Sequence, residues 1–221
     1  MIQPRYRSDY PGEFVVLETR WSKGKKEQRR EWVPNPIENQ HISGRAACIG
    51  SNIDFEHFNY TRLQRHRGGL LGSKKLQTYG NADIALEMKL DFVVSNDNKK
   101  LEMLIDNQYA ENNIVYTSSR KCIEHPGVFY LTPYNPRLCD LALQIYLAAF
   151  DGHQEIFLLG YNNDSMQKNL RQIDDIAQVF NAYNQVKFFL IGEATNMPSQ
   201  WLDCNNIETM CYRDFVGYCD V

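Results

Sequence analysis

The stretch Arg62-Leu63-Gln64-Arg65-His66-Arg67-Gly68-Gly69-Leu70-Leu71-Gly72-Ser73-Lys74-Lys75 gathers five formal positive charges and three glycines within 14 residues. Glycines let backbone amides close on an anion, and guanidinium forks grip phosphate oxygens in pairs. Arg62, Arg65, Arg67, Lys74 and Lys75 are therefore candidate phosphate- or DNA-binding residues. The segment satisfies neither G-x-x-x-x-G-K-[ST] nor G-x-G-x-x-G, so it is not one of the recognised phosphate loops. Three outcomes stay open for it: a nucleotide diphosphate, a nucleic-acid backbone, or a solvated loop without a ligand. A second pattern lies at the ends of three apolar runs, Cys48-Ile49-Gly50, Leu158-Leu159-Gly160 and Leu190-Ile191-Gly192. In parallel α/β sheets ligands sit beyond the carboxyl ends of the strands, which makes Ser51, Asn52, Tyr161, Asn162 and Glu193 pocket candidates. The plainer reading of these glycines is that they only permit tight turns.

The elements that would carry these residues follow from periodicity. Phe14–Glu18 and Gln28–Val33 read as the two strands of a hairpin around the polar turn Ser22-Lys23-Gly24-Lys25-Lys26. Arg45–Gly50 reads as a short apolar strand, and Leu76–Tyr79 as another. From Asn81 onward strands and helices alternate: helix Ala82–Lys89, strand Asp91–Ser95, helix Asn98–Asn107, strand Asn113–Thr117 and strand Phe129–Thr132. Leu138–Phe150 is apolar nearly all round and fits a helix buried between layers. Strand Glu155–Gly160 follows. Met166, Leu170, Ile173, Ala177 and Phe180 then recur at steps of three and four, the mark of an amphipathic helix over Met166–Tyr183. Val186–Gly192 is a further buried strand, and Ile207–Tyr218 closes the chain. Such alternation predicts a Rossmann-like α/β fold, a largely parallel sheet flanked by helices. Residues 1–44 are expected to form a hairpin-and-loop extension, and residues 45–221 a single α/β domain.

Composition bounds the rest. The 221 residues are 43% hydrophobic and 23% charged, which suits one well-cored domain and excludes disorder or a disulfide-stapled miniprotein. The net charge of −3 hides a division. Residues 1–80 carry 14 Lys and Arg against 8 Asp and Glu, whereas residues 81–221 carry 10 against 19. A basic half of this size points to an anionic partner, or else to faces that merely differ in charge. The six cysteines at 48, 122, 139, 204, 211 and 219 form no C-x-x-C pair and no zinc spacing, and read as reduced buried thiols. With no apolar run at Met1-Ile2-Gln3-Pro4-Arg5 and no stretch long enough to span a bilayer, a cytoplasmic protein that meets no membrane is expected.

Two segments resemble the bacterial sialyltransferase-like glycosyltransferases. Ile49-Gly50-Ser51-Asn52-Ile53-Asp54 followed by Phe58-Asn59-Tyr60-Thr61-Arg62-Leu63 is similar to that family's opening strand, Gly-Asn-Gly-Pro-Ser loop and Ile-Asp-Tyr-Ser-Arg-Leu stretch. Gly152-His153-Gln154-Glu155-Ile156-Phe157-Leu158-Leu159-Gly160-Tyr161-Asn162 is similar to its Leu-Gly-Tyr-Lys-Glu-Ile-Tyr-Leu-x-Gly-Ile-Asp segment. The resemblance covers roughly residues 45–165. It implies a glycosyltransferase using a nucleotide-sugar donor as co-substrate and no cofactor. Ser51 and Asn52 would meet the donor phosphate or sugar, Asn81 and Asn96 the nucleotide, and Tyr161 and Asn162 its base or ribose. Tyr130 and Tyr134 would donate phenol protons to the leaving phosphate. Gly-Ser-Asn-Ile departs from Gly-Asn-Gly-Pro-Ser, and the family's catalytic histidine has no counterpart, since no histidine follows His153.

Sugar transfer needs a base for the acceptor hydroxyl and positive charge for the departing phosphate. No Asp-x-Asp occurs, so metal-independent transfer is expected, with Arg65, Arg67, Lys74 and Arg137 as the cations. Asp164 and His125 are the leading candidates for the base, with His41 and Glu193 behind them. The hairpin cations Lys23, Lys25, Lys26, Arg29 and Arg30 favour a polyanionic acceptor, and short compact enzymes of bacteriophages that glycosylate hydroxymethylcytosine in DNA fit that description. The alternative is a non-catalytic nucleic-acid-binding module built on Arg62–Lys75 and the hairpin.

Overall fold

The computed structural model describes residues 2–34, 44–50, 63, 76–161, 169–192 and 197–219. Strands β1 (Gly12–Ser22) and β2 (Lys25–Pro34) form an antiparallel hairpin. Both turn residues are left-handed, Lys23 at φ +50° and Gly24 at φ +74°, which is the turn hand that matches the twist of the strands it joins. The hairpin runs past both ends expected from the sequence, in continuous register from Gly12↔Pro34 to Ser22↔Lys25 apart from one bulge at Val16/Glu18. Its outer parts are solvated on both faces, so no apolar alternation marks where they end.

The body is a sheet of eight parallel strands: β3 (Arg45–Ile49), β4 (Gln77–Gly80), β5 (Phe92–Val94), β6 (Ile114–Thr117), β7 (Tyr130–Leu131), β8 (Glu155–Leu159), β9 (Lys187–Ile191) and β10 (Ile207–Met210). Their spatial order is β10-β9-β8-β3-β4-β5-β6-β7. The chain starts in the middle, winds outward through β7, then returns to the other side of β3 and winds outward again. This is a Rossmann-like, doubly wound α/β fold.

Strand alternation splits the core in two. Cys48, Tyr79, Ile156, Leu158, Phe188 and Leu190 point into one layer, where they meet α5 (Asp140–Phe150), α6 (Leu170–Ala182) and Trp201 of α7 (Ser199–Leu202). Ile49, Val93, Val115, Phe157, Leu159 and Ile191 point into the other. That second layer is covered by α1 (Ala82–Glu87), α2 (Asn98–Asp106) and α3 (Tyr109–Asn112), and by Phe215 of α8 (Tyr212–Cys219). Helix α4 (Ser119–Glu124) fills the β6–β7 connection. In α5 every residue from Ala142 to Phe150 is buried, as its nearly all-round apolar character requires. Each large apolar side chain so buried contributes about 1.5–3 kcal/mol.

The first residues belong to the body rather than to an extension. The Arg7 guanidinium, 4% exposed, donates to the Asp151 carboxylate and to the Tyr116 hydroxyl. Tyr79 Oη donates to Asp151 Oδ2 at 2.7 Å and lies 2.9 Å from His153 Nε2. Tyr10 packs edge-on against Phe150, at 5.7 Å between ring centroids. The α/β body therefore draws on residues well before position 45. Among the described residues no helix is long and apolar enough to cross a membrane.

Candidate functional site

In a doubly wound sheet the strand order reverses at one place, and there the helices diverge and leave a crevice at the carboxyl ends. Here that place lies between β3 and β8. The Gly50 amide donates to Leu159 O at 2.8 Å, and a Cβ on Gly50 would lie 2.8 Å from Gly160 O. Only glycine lets these two strand ends close so tightly. Gly160 and Gly192 have φ of +73° and +139°, so both turn the chain through conformations that side chains resist. Gly160 and Gly192 thus turn the chain, whereas Gly50 serves the close approach to Gly160 across the reversal point.

Beneath this point lies a buried carboxamide. Gln144 has no solvent exposure. Its amide nitrogen donates to Tyr161 Oη at 2.9 Å and to Ile49 O at 3.2 Å, and its oxygen accepts from the Asn81 amide at 3.1 Å. One side chain of α5 therefore binds the ends of β3, β4 and β8 together. Asn81 Oδ1 caps α1 by accepting from Ile84 N at 3.1 Å. Tyr161 is fully buried, and its hydroxyl also donates to Leu141 O at 3.2 Å. The direct base or ribose contact expected of Tyr161 gives way to a positioning role, because its polar atom faces the core.

One strand further out, Asp140 opens α5 and reaches the end of β5. Its Oδ2 accepts from Ser95 Oγ at 3.2 Å and its Oδ1 from the Asn96 amide at 3.1 Å. Burial pushes the Asp140 carboxyl above the ordinary carboxylate range, against the opposing pull of the Asn96 amide, the Ser95 hydroxyl and the Lys100 charge. Asn96 is exposed at this edge, its amide held by Asp140 and its side chain turned to no partner among the described residues. The described residues at the carboxyl edge thus supply a raised-pKa carboxyl, an available carboxamide and a rigid floor. Thr117 Oγ1 and Thr132 Oγ1, at the ends of β6 and β7, are buried there without a hydrogen-bond partner among the described residues.

The other expected residues divide. Asn81 and Asn96 fall just past the ends of neighbouring strands β4 and β5. His125 does not join them: it ends α4 on the approach to β7, with its ring edge-on to Phe129 at 5.8 Å. That position leads into the amino end of β7, not the carboxyl edge where Asn81 and Asn96 sit. Tyr134 and Arg137 come together elsewhere, in a groove of about 370 Å³ that they line with Arg5, Gln3, Tyr146 and Gln178. Tyr134 sits at φ +56° with the Arg5 guanidinium 5.3 Å from its ring centre. Ser51, Asn52, Asn162, Asp164, Glu193, His41, Arg62, Arg65, Arg67, Lys74 and Lys75 lie outside the described residues. Asp140 and Gln144 were missed by sequence reasoning. Their one signal was being the polar interruptions of an otherwise apolar helix.

Cys48, Cys122, Cys139, Cys204 and Cys211 are free thiols, Cys48 and Cys204 buried and Cys211 exposed. No group of three potential metal ligands occurs among the described residues. Compared with known proteins, the chain matches no family model, no curated protein and no solved structure. The fold and the site define a class, a doubly wound α/β protein with polar side chains gathered at the strand ends around its reversal point.

Proposed function

We propose that the crevice at the carboxyl ends of β3, β4, β5 and β8 binds a nucleotide sugar, and that the protein is a metal-independent glycosyltransferase. One observation supports this most. Ile49-Gly50, which open the first of the two segments that resemble sialyltransferase-like enzymes, and Leu159-Gly160, near the end of the second, are more than a hundred residues apart in sequence, yet they lie side by side where β3 and β8 meet at the strand reversal. In sheets of this kind nucleotide phosphates are held at the carboxyl ends of the strands, where the following helices begin.

In the transfer, the acceptor hydroxyl attacks the anomeric carbon, the bond to the donor phosphate breaks, and the nucleotide leaves with the electron pair. Asp140 is the described carboxyl that meets the two conditions for taking the acceptor's proton, a place at the carboxyl edge and a raised pKa. Asp164 keeps the same role as a candidate from the sequence. The departing phosphate is stabilised by cations of the basic segment, with Arg65 and Arg67 foremost. The acceptor favoured by the basic first half is the hydroxyl of a hydroxymethylated cytosine in DNA, brought out of the stack to reach the crevice.

The experiment is a transfer assay with nucleotide sugars and hydroxymethylcytosine-containing DNA, run with and without EDTA. Transfer that persists in EDTA, and that Asp140→Asn reduces by about 10²–10⁴-fold, is the expected result. Full activity in Asp140→Asn would remove Asp140 as the base, and donor turnover without any acceptor would replace transfer by hydrolysis.

A further inference from the structure

The hairpin has two chemically different faces. In an antiparallel pair, directly opposed residues share a face, and alternate pairs share the same one. The register therefore puts Phe14 with Trp32, Val16 with Arg30, Thr19 with Gln28 and Trp21 with Lys26 on one face. The opposite face takes Glu13, Val15, Glu18, Arg20, Lys25, Glu27, Arg29 and Glu31. All four glutamates of the hairpin fall on that second face, which near its base also turns toward the body through the buried Val15 and the Glu13–Tyr10 hydrogen bond. The side-chain bonds agree with this partition: Arg20 pairs with Glu18 on one face, and Arg30 donates to Gln28 on the other.

The first face is left with three aromatic rings, two cations and no carboxylate. Phe14, Trp21 and Trp32 are 63%, 74% and 42% exposed. Phe14 and Trp32 meet edge-on at 4.9 Å at its base, and Trp21 stands beside Lys26 at the tip. Lys26 has no ion-pair partner among the described residues, and Arg30 has none beyond its bond to neutral Gln28. The four pairs span about 20 Å. Three large rings left this exposed to water are costly, and Thr19, Gln28, Lys26 and Arg30 separate them too well for one continuous apolar patch. A protein partner would find no such patch, and a duplex keeps its base faces covered. Unpaired bases offer flat faces to the rings, and their phosphates suit the two cations.

We propose that this hairpin face is a binding platform for single-stranded nucleic acid, with bases stacked on Trp21 and on the Phe14–Trp32 pair and phosphates held by Lys26 and Arg30. It rests on the glycosyltransferase reading only where the bound strand is taken to be the acceptor. On that reading, such an arm holds the strand from which an extruded base would come.

The test uses the full chain, a fluorescein-labelled thymidine oligonucleotide and a duplex of equal length, read by anisotropy without any nucleotide sugar. Failure of donor binding therefore leaves its result untouched. The single strand is expected to bind more tightly than the duplex. Trp21→Ala, at a site exposed enough to spare the fold, is expected to weaken binding by about 5- to 150-fold at an unchanged Tm. Lys26→Gln and Arg30→Gln each lower the salt slope by about 0.7, whereas Arg29→Gln on the opposite face leaves both affinity and slope as they were. Equal losses from Arg29→Gln and Arg30→Gln, equal affinity for duplex, or self-association of the chain through the hairpin would each overturn the proposal.

Discussion

At the scale of single residues, the site is held by polar groups inside an apolar helix. Gln144 matters because three backbone or hydroxyl groups from three strands converge on one carboxamide, and a buried group left unmatched costs about 1–3 kcal/mol. Asp140 carries the testable consequence. Its carboxyl is raised by burial, so the folded state holds that proton more tightly than an unfolded aspartate near 3.9 does. The sign follows from linkage: this group favours folding at pH values below the unfolded value and loses that contribution as pH rises through the folded one. Asp140→Asn removes the titration. Urea melts between pH 4 and pH 7 should then show the wild type losing stability relative to Asp140→Asn as pH rises, and parallel curves would mean that Asp140 is not held as described. Neither residue's role was legible in the sequence. Within Leu138–Phe150 the two were interruptions, and only the packing of α5 beneath the strand ends gives them partners.

At the scale of elements, the strands were the most readable part. Apolar runs such as Phe188 to Ile191 are buried on both faces, so their hydrophobicity marks them directly. The helix over residues 170–182 was equally clear, because its apolar steps lie on one face and its opposite face is solvated. Helix α4 escaped notice, since Ser119–Glu124 has little apolar periodicity and buries chiefly the stem of Lys121. The hairpin was found but shortened, and its two faces became visible only once the Val16/Glu18 bulge fixed which residues oppose each other. The contact between β3 and β8 yields a prediction at this scale. In Gly50→Ala the new methyl meets the Gly160 carbonyl, a backbone atom that moves only if the strands part. The expected cost of about 1–3 kcal/mol corresponds to a Tm lower by roughly 2–12 °C, and an unchanged melt would show that the strand ends are looser than described.

For the whole molecule, the topology turns a charge count into a geography. The sheet reverses at β3 and β8, and the segments that follow these strands include both the basic, glycine-rich stretch and Asn162 to Asp164. The basic hairpin precedes β3 in the chain, while most of the acidic excess is spread over the later α/β units. The fold class was legible because alternating strands and helices admit few arrangements. The crevice's lining was not, because contacts between strand ends distant in sequence leave no local trace. The central claim is that this crevice takes a nucleotide sugar, and thermal melting of the full chain against a panel of nucleotide sugars and their free sugars tests it most directly. A bound donor at about 100 times its dissociation constant stabilises the fold by about 2.7 kcal/mol, which for a chain of this size raises the Tm by roughly 5–10 °C. The account predicts that shift for at least one nucleotide sugar and none for its free sugar. Melts unmoved by every nucleotide sugar, or moved equally by the free sugar, would contradict it.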